Sequence, residues 1–280
     1  MPLSSLKNIQ LKDAYWQGWE SFLHTIPTLV SSEGAVANYL NTIRPAHFSN
    51  SHSFVPQACL PTDISYESFI YQYHQIPTRD GLHDFFNALC WFHFPKTKAH
   101  FNYLHQQQIE HLGTRVRGAV RDTLTVFDEN GFLIQCPDEL WTALKAKEWQ
   151  KAFCELRPLW AETKVMVFGH ALLEKLVTPY KSITAHAIRI PSTIAQQTSS
   201  ENIALSTITQ GYSPKRFTLA DIKQIDKYLT SFLQPETLSE KPYIPIQIFG
   251  IPNWMESQDE YFYADSTVFR HPKHQPNKKG

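Results

Sequence analysis

The chain has 280 residues, of which 42% are hydrophobic, 13% aromatic and 19% charged, with 10 Gly against 18 Pro. That composition supplies a sizeable core and excludes a disordered or low-complexity chain. Lys plus Arg and Asp plus Glu both number 26, so the net charge is zero and the basic excess of a dedicated nucleic-acid binder is missing.

In chain order, Ala14, Trp16, Trp19, Phe22, Leu23 and Ile26 recur at three- and four-residue steps, which predicts helix in the region from about 10 to 45. A second short helix there is capped near Ser32 and stopped by Pro45. Residues 46–63 read as turn-rich and extended, and Tyr66 to Ile76 as a helix ended before Pro77. Gly81 to Phe94 is the next helix. Pro95 breaks it or restarts it, and a further helix closes at Gly113. In DTLTVFDENGFLIQC, β-branched and aromatic residues flank Asn130-Gly131, which predicts a hairpin. Residues 137–158 return to helix, VMVFGHALLEKLV is another that ends at Pro179, and KSITAHAIRI is a strand. The polar stretch from 191 to 216 reads as a loop, TLADIKQIDKYLTSFL as an amphipathic helix, and PYIPIQIFGIPNW as a strand before a wrapping arm.

The expected fold class is therefore α+β. It is a predominantly helical single domain over residues 1–280, with a small sheet that includes the hairpin near Asn130-Gly131. A polar loop lies at about 191–216 and a flexible basic tail at the C-terminus. Cys59, Cys90, Cys136 and Cys154 form no close pair and no CxxC, so neither a disulfide framework nor a zinc ribbon follows. The N-terminus has no apolar signal region, and no apolar run approaches the ~20 residues that span a bilayer. A soluble, cytoplasmic protein is expected.

The stretch RDGLHDFFNALCWFHFPK holds the first candidate site. Leu82, Phe85, Phe86, Leu89 and Phe92 share one face of its helix, and His83, Asp84, Asn87, Trp91 and Phe94 the other. A helix bulky on both faces is buried nearly all round, so Asp84 and Asn87 need polar partners, an ion or water. The plainer reading makes Asp80 the cap and places His83 and Asp84 in the first turn. In FGHALLEK, His170 and Glu174 are four apart and meet on one face, and His186 lies on the predicted strand between small residues. Together these residues offer what a divalent metal or an acid–base pair requires, although no spacing is diagnostic. A basic cluster adds Lys96, Lys98, Arg115, Arg117 and Arg121. It either clamps an anion or pairs with Asp122, Asp128 and Glu129. HExxH, GxSxG, a P-loop and GxGxxG are all missing from the sequence.

Four stretches in this order, GLHDFFNALCWFHFPKTK, RDTLTVFDENG, FGHALLEKLVTP and ITAHA, resemble the proteobacterial family of unknown function DUF3025. The resemblance runs from about Tyr71 to His186 and resumes at FGIPNW and YADSTVFR. It includes residue types typical of the family at Asp84, Asn87, Pro95, Asp128, His170, Glu174 and His186. It implies a soluble bacterial protein and brings no activity, cofactor or catalytic residue with it.

Two readings stand open. One is a non-catalytic protein whose buried polar cluster pins the helices and whose surface binds a protein partner or a small anion. The other is a hydrolase, metal-assisted or not, with His170, Glu174 and Asp84 in catalytic roles and Asn87, Lys96, Arg117, Arg121 and His186 in binding roles. An open, convergent cavity separates it from a closed structural cluster.

Overall fold

The structure, a computed structural model, describes residues 1, 3–24, 36–46, 48, 52–194 and 212–270. Ile26, Ser32, most of the expected polar loop and the basic tail lie outside those residues.

The expected N-terminal helix is mostly replaced by shorter turns. Helix α1 (Glu20–Leu23) is a single turn, preceded by 3-10 turns at Leu3–Asn8 and Ala14–Trp16. The break falls at Gly18, whose φ of +90° suits glycine. Trp16 and Trp19 still reach the core, so the apolar period reports burial more than a continuous helix. Helix α2 (Val36–Thr42) follows, its first amide held by Asp80 Oδ1 at 2.9 Å.

Strand β1 (Ser53–Pro56) pairs in parallel with β2 (Gln75–Thr78). Between them α3 (Tyr66–Tyr73) starts at Ser65, whose side chain accepts from Ser68 N. This helix ends three residues short of the expectation because His74 turns left-handed at φ 52°, and Pro77 lies inside β2. A two-stranded sheet is all edge, where a proline costs no inner ladder bond.

Helices α4 (Leu82–His93) and α5 (Pro95–Leu112) are as expected, separated by Phe94 with Pro95 at the first helical position. Every residue of α4 except His83 is buried. The open first turn of α5 is closed by Asp226, which accepts from Thr97 N at 2.8 Å and Lys96 N at 3.1 Å.

The hairpin at Asn130-Gly131 is not formed. Residues Ala119–Asn130 are helix α6, and Gly131–Gln135 is strand β3. Val120, Thr123, Leu124 and Phe127 are buried at three- and four-residue steps, and packing of that face outweighs the β-branched composition. Gly131 has a φ of −67° and makes no tight turn. It is small because a Cβ there would stand 2.4 Å from Phe127 O and 2.9 Å from Phe168 Cδ1.

Helix α7 (Asp138–Ala146) ends early at Lys147, with a φ of 57°, and gives way to a π turn at Lys151–Glu155 and a 3-10 turn at Arg157–Glu162. The front of the next expected helix is instead strand β4 (Lys164–Val167), and α8 (His170–Leu176) begins after it. Strand β5 (Thr184–Arg189) is as expected. It is followed by β6 (Lys215–Arg216), α9 (Leu219–Phe232) with a Thr218–Asp221 capping box, α10 (Pro235–Ser239), β7 (Ile244–Gln247) and α11 (Glu260–Ala264).

The main sheet has the order β6-β4-β3-β5-β7, with β3 antiparallel to β4 and parallel to β5. Of its three inner strands, β3 and β4 are buried throughout and β5 in part. Helix α4 packs on α5 and α8, and α6 packs on the same two, so four helices that carry polar side chains meet. The fold is α+β and mostly helical.

Candidate functional site

The site is assembled by a close approach of backbone. Phe168 N and Gly169 N both donate to Gly131 O at 2.9 Å. A Cβ on Gly169 would stand 2.3 Å from Glu129 O, so only glycine lets α8 begin directly against the end of α6. That contact sets His170, the first residue of α8, beside Asp128 in the last turn of α6. Helix α4 brings His83, Asp84 and Asn87 to the same place, and α5 brings Lys98, Asn102 and His105.

Lys98 is the hub. Its Nζ donates to Asn87 Oδ1 at 2.8 Å and to Asp128 Oδ1 and Oδ2 at 2.5 and 2.7 Å, which uses all three ammonium protons. Burial pushes the Asp128 carboxyl upward, but the opposing charge and hydrogen bonds of Lys98 hold it below the usual carboxylate value. Asn87 Nδ2 donates onward to Tyr66 Oη at 3.1 Å. Burial raises the Tyr66 phenol well above its ordinary value, and the carboxylates of Asp84 and Asp128 add to that.

Asp84 finds its partner locally, not in the His170 and Glu174 with which the sequence groups it. Its carboxylate takes the Arg79 guanidinium in two bonds, at 2.9 and 3.0 Å, and the Arg79 backbone N–H at 2.6 Å. Asp80 is not the helix cap either, since Gly81 holds that position and Asp80 binds Val36 N.

His170 and Glu174 do lie near one another, joined by a third residue. His170 Nε2 is 3.1 Å from His83 Nε2, and His83 Nδ1 is 3.2 Å from Glu174 Oε2. Glu174 Oε1 is also 2.6 Å from the Met1 amino group. His170 Nδ1 makes no hydrogen bond, with Asp128 Oδ2 3.6 Å away. Burial lowers the His170 pKa to about 3 against the attraction of Asp128, which keeps the ring neutral.

These groups wall a cavity of about 350 Å³, with the rings of Tyr66, Trp91 and Phe101 also in its lining. Asp84, Asn87 and His170 line it directly, and Glu174 stands behind His83. The other expected residues are elsewhere. His186 is on β5 opposite Gly131, its ring centroid 4.9 Å from that of Tyr243. Lys96 is exposed at the start of α5. Arg117 is exposed and bound to Asp122 and Thr125. Arg121 is buried, with Nη1 donating to Val116 O at 3.4 Å. The arginines therefore form no anion clamp in this cavity. Among the described residues, no three His, Cys, Asp or Glu side chains are arranged to hold a metal ion.

Sequence reasoning passed over Tyr66 and His105, and it placed Lys98 and Asp128 in a separate basic cluster. One signal was available: Lys98, Phe101, Asn102 and His105 fall at i, i+3, i+4 and i+7, a helix face with three polar members that must turn inward with Phe101. A wider groove of about 880 Å³ between Asp13, Arg157 and Trp254 shares no residue with this site.

Comparison with known proteins gives one finding for this chain. No curated protein matches it, and no solved structure does. A family model described as "Protein of unknown function (DUF3025)" matches residues 52–273, which contain the whole of α3 to α8 and every cavity residue described above. The chain belongs to the DUF3025 family.

Proposed function

We propose that the protein binds a small polar molecule in the cavity between α3, α4, α5 and α6 and does not transform it covalently. The observation that carries this reading is the open cavity itself, about 350 Å³ in volume, within the usual range for small-molecule sites and walled by a converging polar cluster. A cluster that served only to pin helices would close on itself.

The binding reading is preferred to the hydrolase reading because the carboxylates of Asp84 and Glu174 and the ring of His83 are occupied, and the unpaired Nδ1 of His170 is sealed from solvent inside the protein. Asp84 is held by Arg79, Glu174 by His83, and both nitrogens of His83 are engaged. A general base needs a nitrogen or oxygen within reach of a substrate proton. The nearby thiol of Cys90 is buried against Phe168 O, and burial raises its pKa far from the thiolate form.

Ligand-observed NMR with a library of polar fragments tests this proposal, using the protein and a Leu60→Trp variant that fills the cavity wall. Fragments that bind the protein should lose binding in the variant. An unchanged set of binders would overturn the assignment of the cavity as the binding site.

A further inference from the structure

We propose that the cavity selects a small organic cation, an ammonium group carried on a short apolar or aromatic body. This rests on the reading of the cavity as a ligand site and names the ligand's chemical class.

Charge is the first ground. The lining contains the carboxylates of Glu67, Asp84, Asp128 and Glu129 against the cations Arg79 and Lys98. The two cations are bound to Asp84 and Asp128 respectively. That leaves Glu67 and Glu129, both half-buried, with no side-chain hydrogen bond or ion pair among the described residues. Unpaired carboxylates beside a low-dielectric wall attract a cation more strongly than they would in open water. Arg121 lies behind His105, outside the lining, and leaves the excess negative.

An independent observation points the same way. His105 is more than nine-tenths buried and lines the cavity, yet its Nδ1 has no partner. Burial lowers its pKa, so the ring is neutral and adds no positive charge to the wall. His170 in the same lining is likewise held neutral by burial and adds none. An anion meets the reverse situation. Of the two lining cations, Lys98 has already donated its three protons and Arg79 is held in two bonds by Asp84, so an anion would have to compete with a carboxylate at either one. The rings of Tyr66 and Phe101 supply surface for the ligand's apolar body, and an aromatic face also favours a cation.

Isothermal titration calorimetry with three probes of one shape, benzylammonium, benzyl alcohol and benzoate, tests the proposal. Benzylammonium should bind at least tenfold more tightly than benzyl alcohol, with benzoate weakest, and the preference should shrink as salt is added. A Glu67→Gln/Glu129→Gln variant, whose fold is checked by circular dichroism, should bind benzylammonium at least fivefold more weakly and benzyl alcohol as before. Equal or tighter binding of benzyl alcohol or benzoate overturns the cation assignment and leaves the ligand site standing. An unchanged benzylammonium affinity in the double variant also overturns it. No binding of any of the three probes overturns the ligand site itself.

Discussion

The Nε2 atoms of His83 and His170 lie 3.1 Å apart, so one ring must donate to the other. Glu174 accepts from His83 Nδ1, which fixes the proton of a neutral His83 at that atom. His170 is then the donor through Nε2–H, and its Nδ1 is left bare, in keeping with the missing hydrogen bond there. Long-range ¹⁵N–¹H NMR spectra near pH 7.5 should show His83 as the Nδ1–H tautomer and His170 as the Nε2–H tautomer. The opposite assignment for either ring would break this account of the pair.

Acid should act on the fold through His170. Its pKa is about 3 in the folded chain and near ~6.5 when unfolded, so on acidification the unfolded state takes the proton first. The resulting stability is complete above the unfolded value and is lost as pH falls from there towards the folded value. The slope is up to about 1.4 kcal/mol per pH unit from this one ring. Urea unfolding at pH 7 to 4 should therefore show a shallower decline in a His170→Gln variant than in the native chain. Parallel curves would show that the ring is not held neutral.

Lys98 should matter more to the fold than any other residue of the cluster. Replacing it with Met leaves the half-buried Asp128 carboxylate without its partner, which costs roughly 1–3 kcal/mol. Replacing both residues, as Lys98→Met with Asp128→Leu, should recover most of that loss in urea midpoints. A double variant as unstable as the single one would place the cost in packing and not in the stranded charge.

Helix α4 was legible from the sequence almost to the residue, because apolar bulk on both faces admits few structures and Pro95 marks its end. The same burial argument identified Asp84 and Asn87 as residues that need partners. The identity of those partners was not legible. Asp84 is satisfied locally by Arg79, whereas Asn87 depends on Lys98, eleven residues further along and on another helix. Helix α6 was misread because Asn130-Gly131 and β-branched residues are local signals, while the burial of Val120, Leu124 and Phe127 is decided by packing on α8 and the sheet. His186 was drawn into the site by its small neighbours, but alternation along β5 turns Ala185 and Ala187, both fully buried, to the opposite face of the sheet.

Gly131 separates the two accounts of that region. In a tight hairpin an Asn there would be tolerated at modest cost, because Asn reaches the positive φ such a turn requires. At the observed φ of −67° the backbone accepts any residue, yet a Cβ would collide with Phe127 O and with the Phe168 ring. Gly131→Ala should therefore destabilise the fold by about 2 kcal/mol through overpacking, read as a lowered urea midpoint. A change under about 0.5 kcal/mol would contradict the close approach of α6 to β3.

The central claim is that the polar cluster walls a site for a ligand. A crystal structure of the protein soaked with the tightest-binding probe tests it most directly. The account predicts electron density between Tyr66, His105 and Lys98, with the ligand's nitrogen within hydrogen-bond distance of Glu67 or Glu129. Density only in the groove beside Arg157 and Trp254, with the cavity of α3 to α6 unaltered, would contradict it.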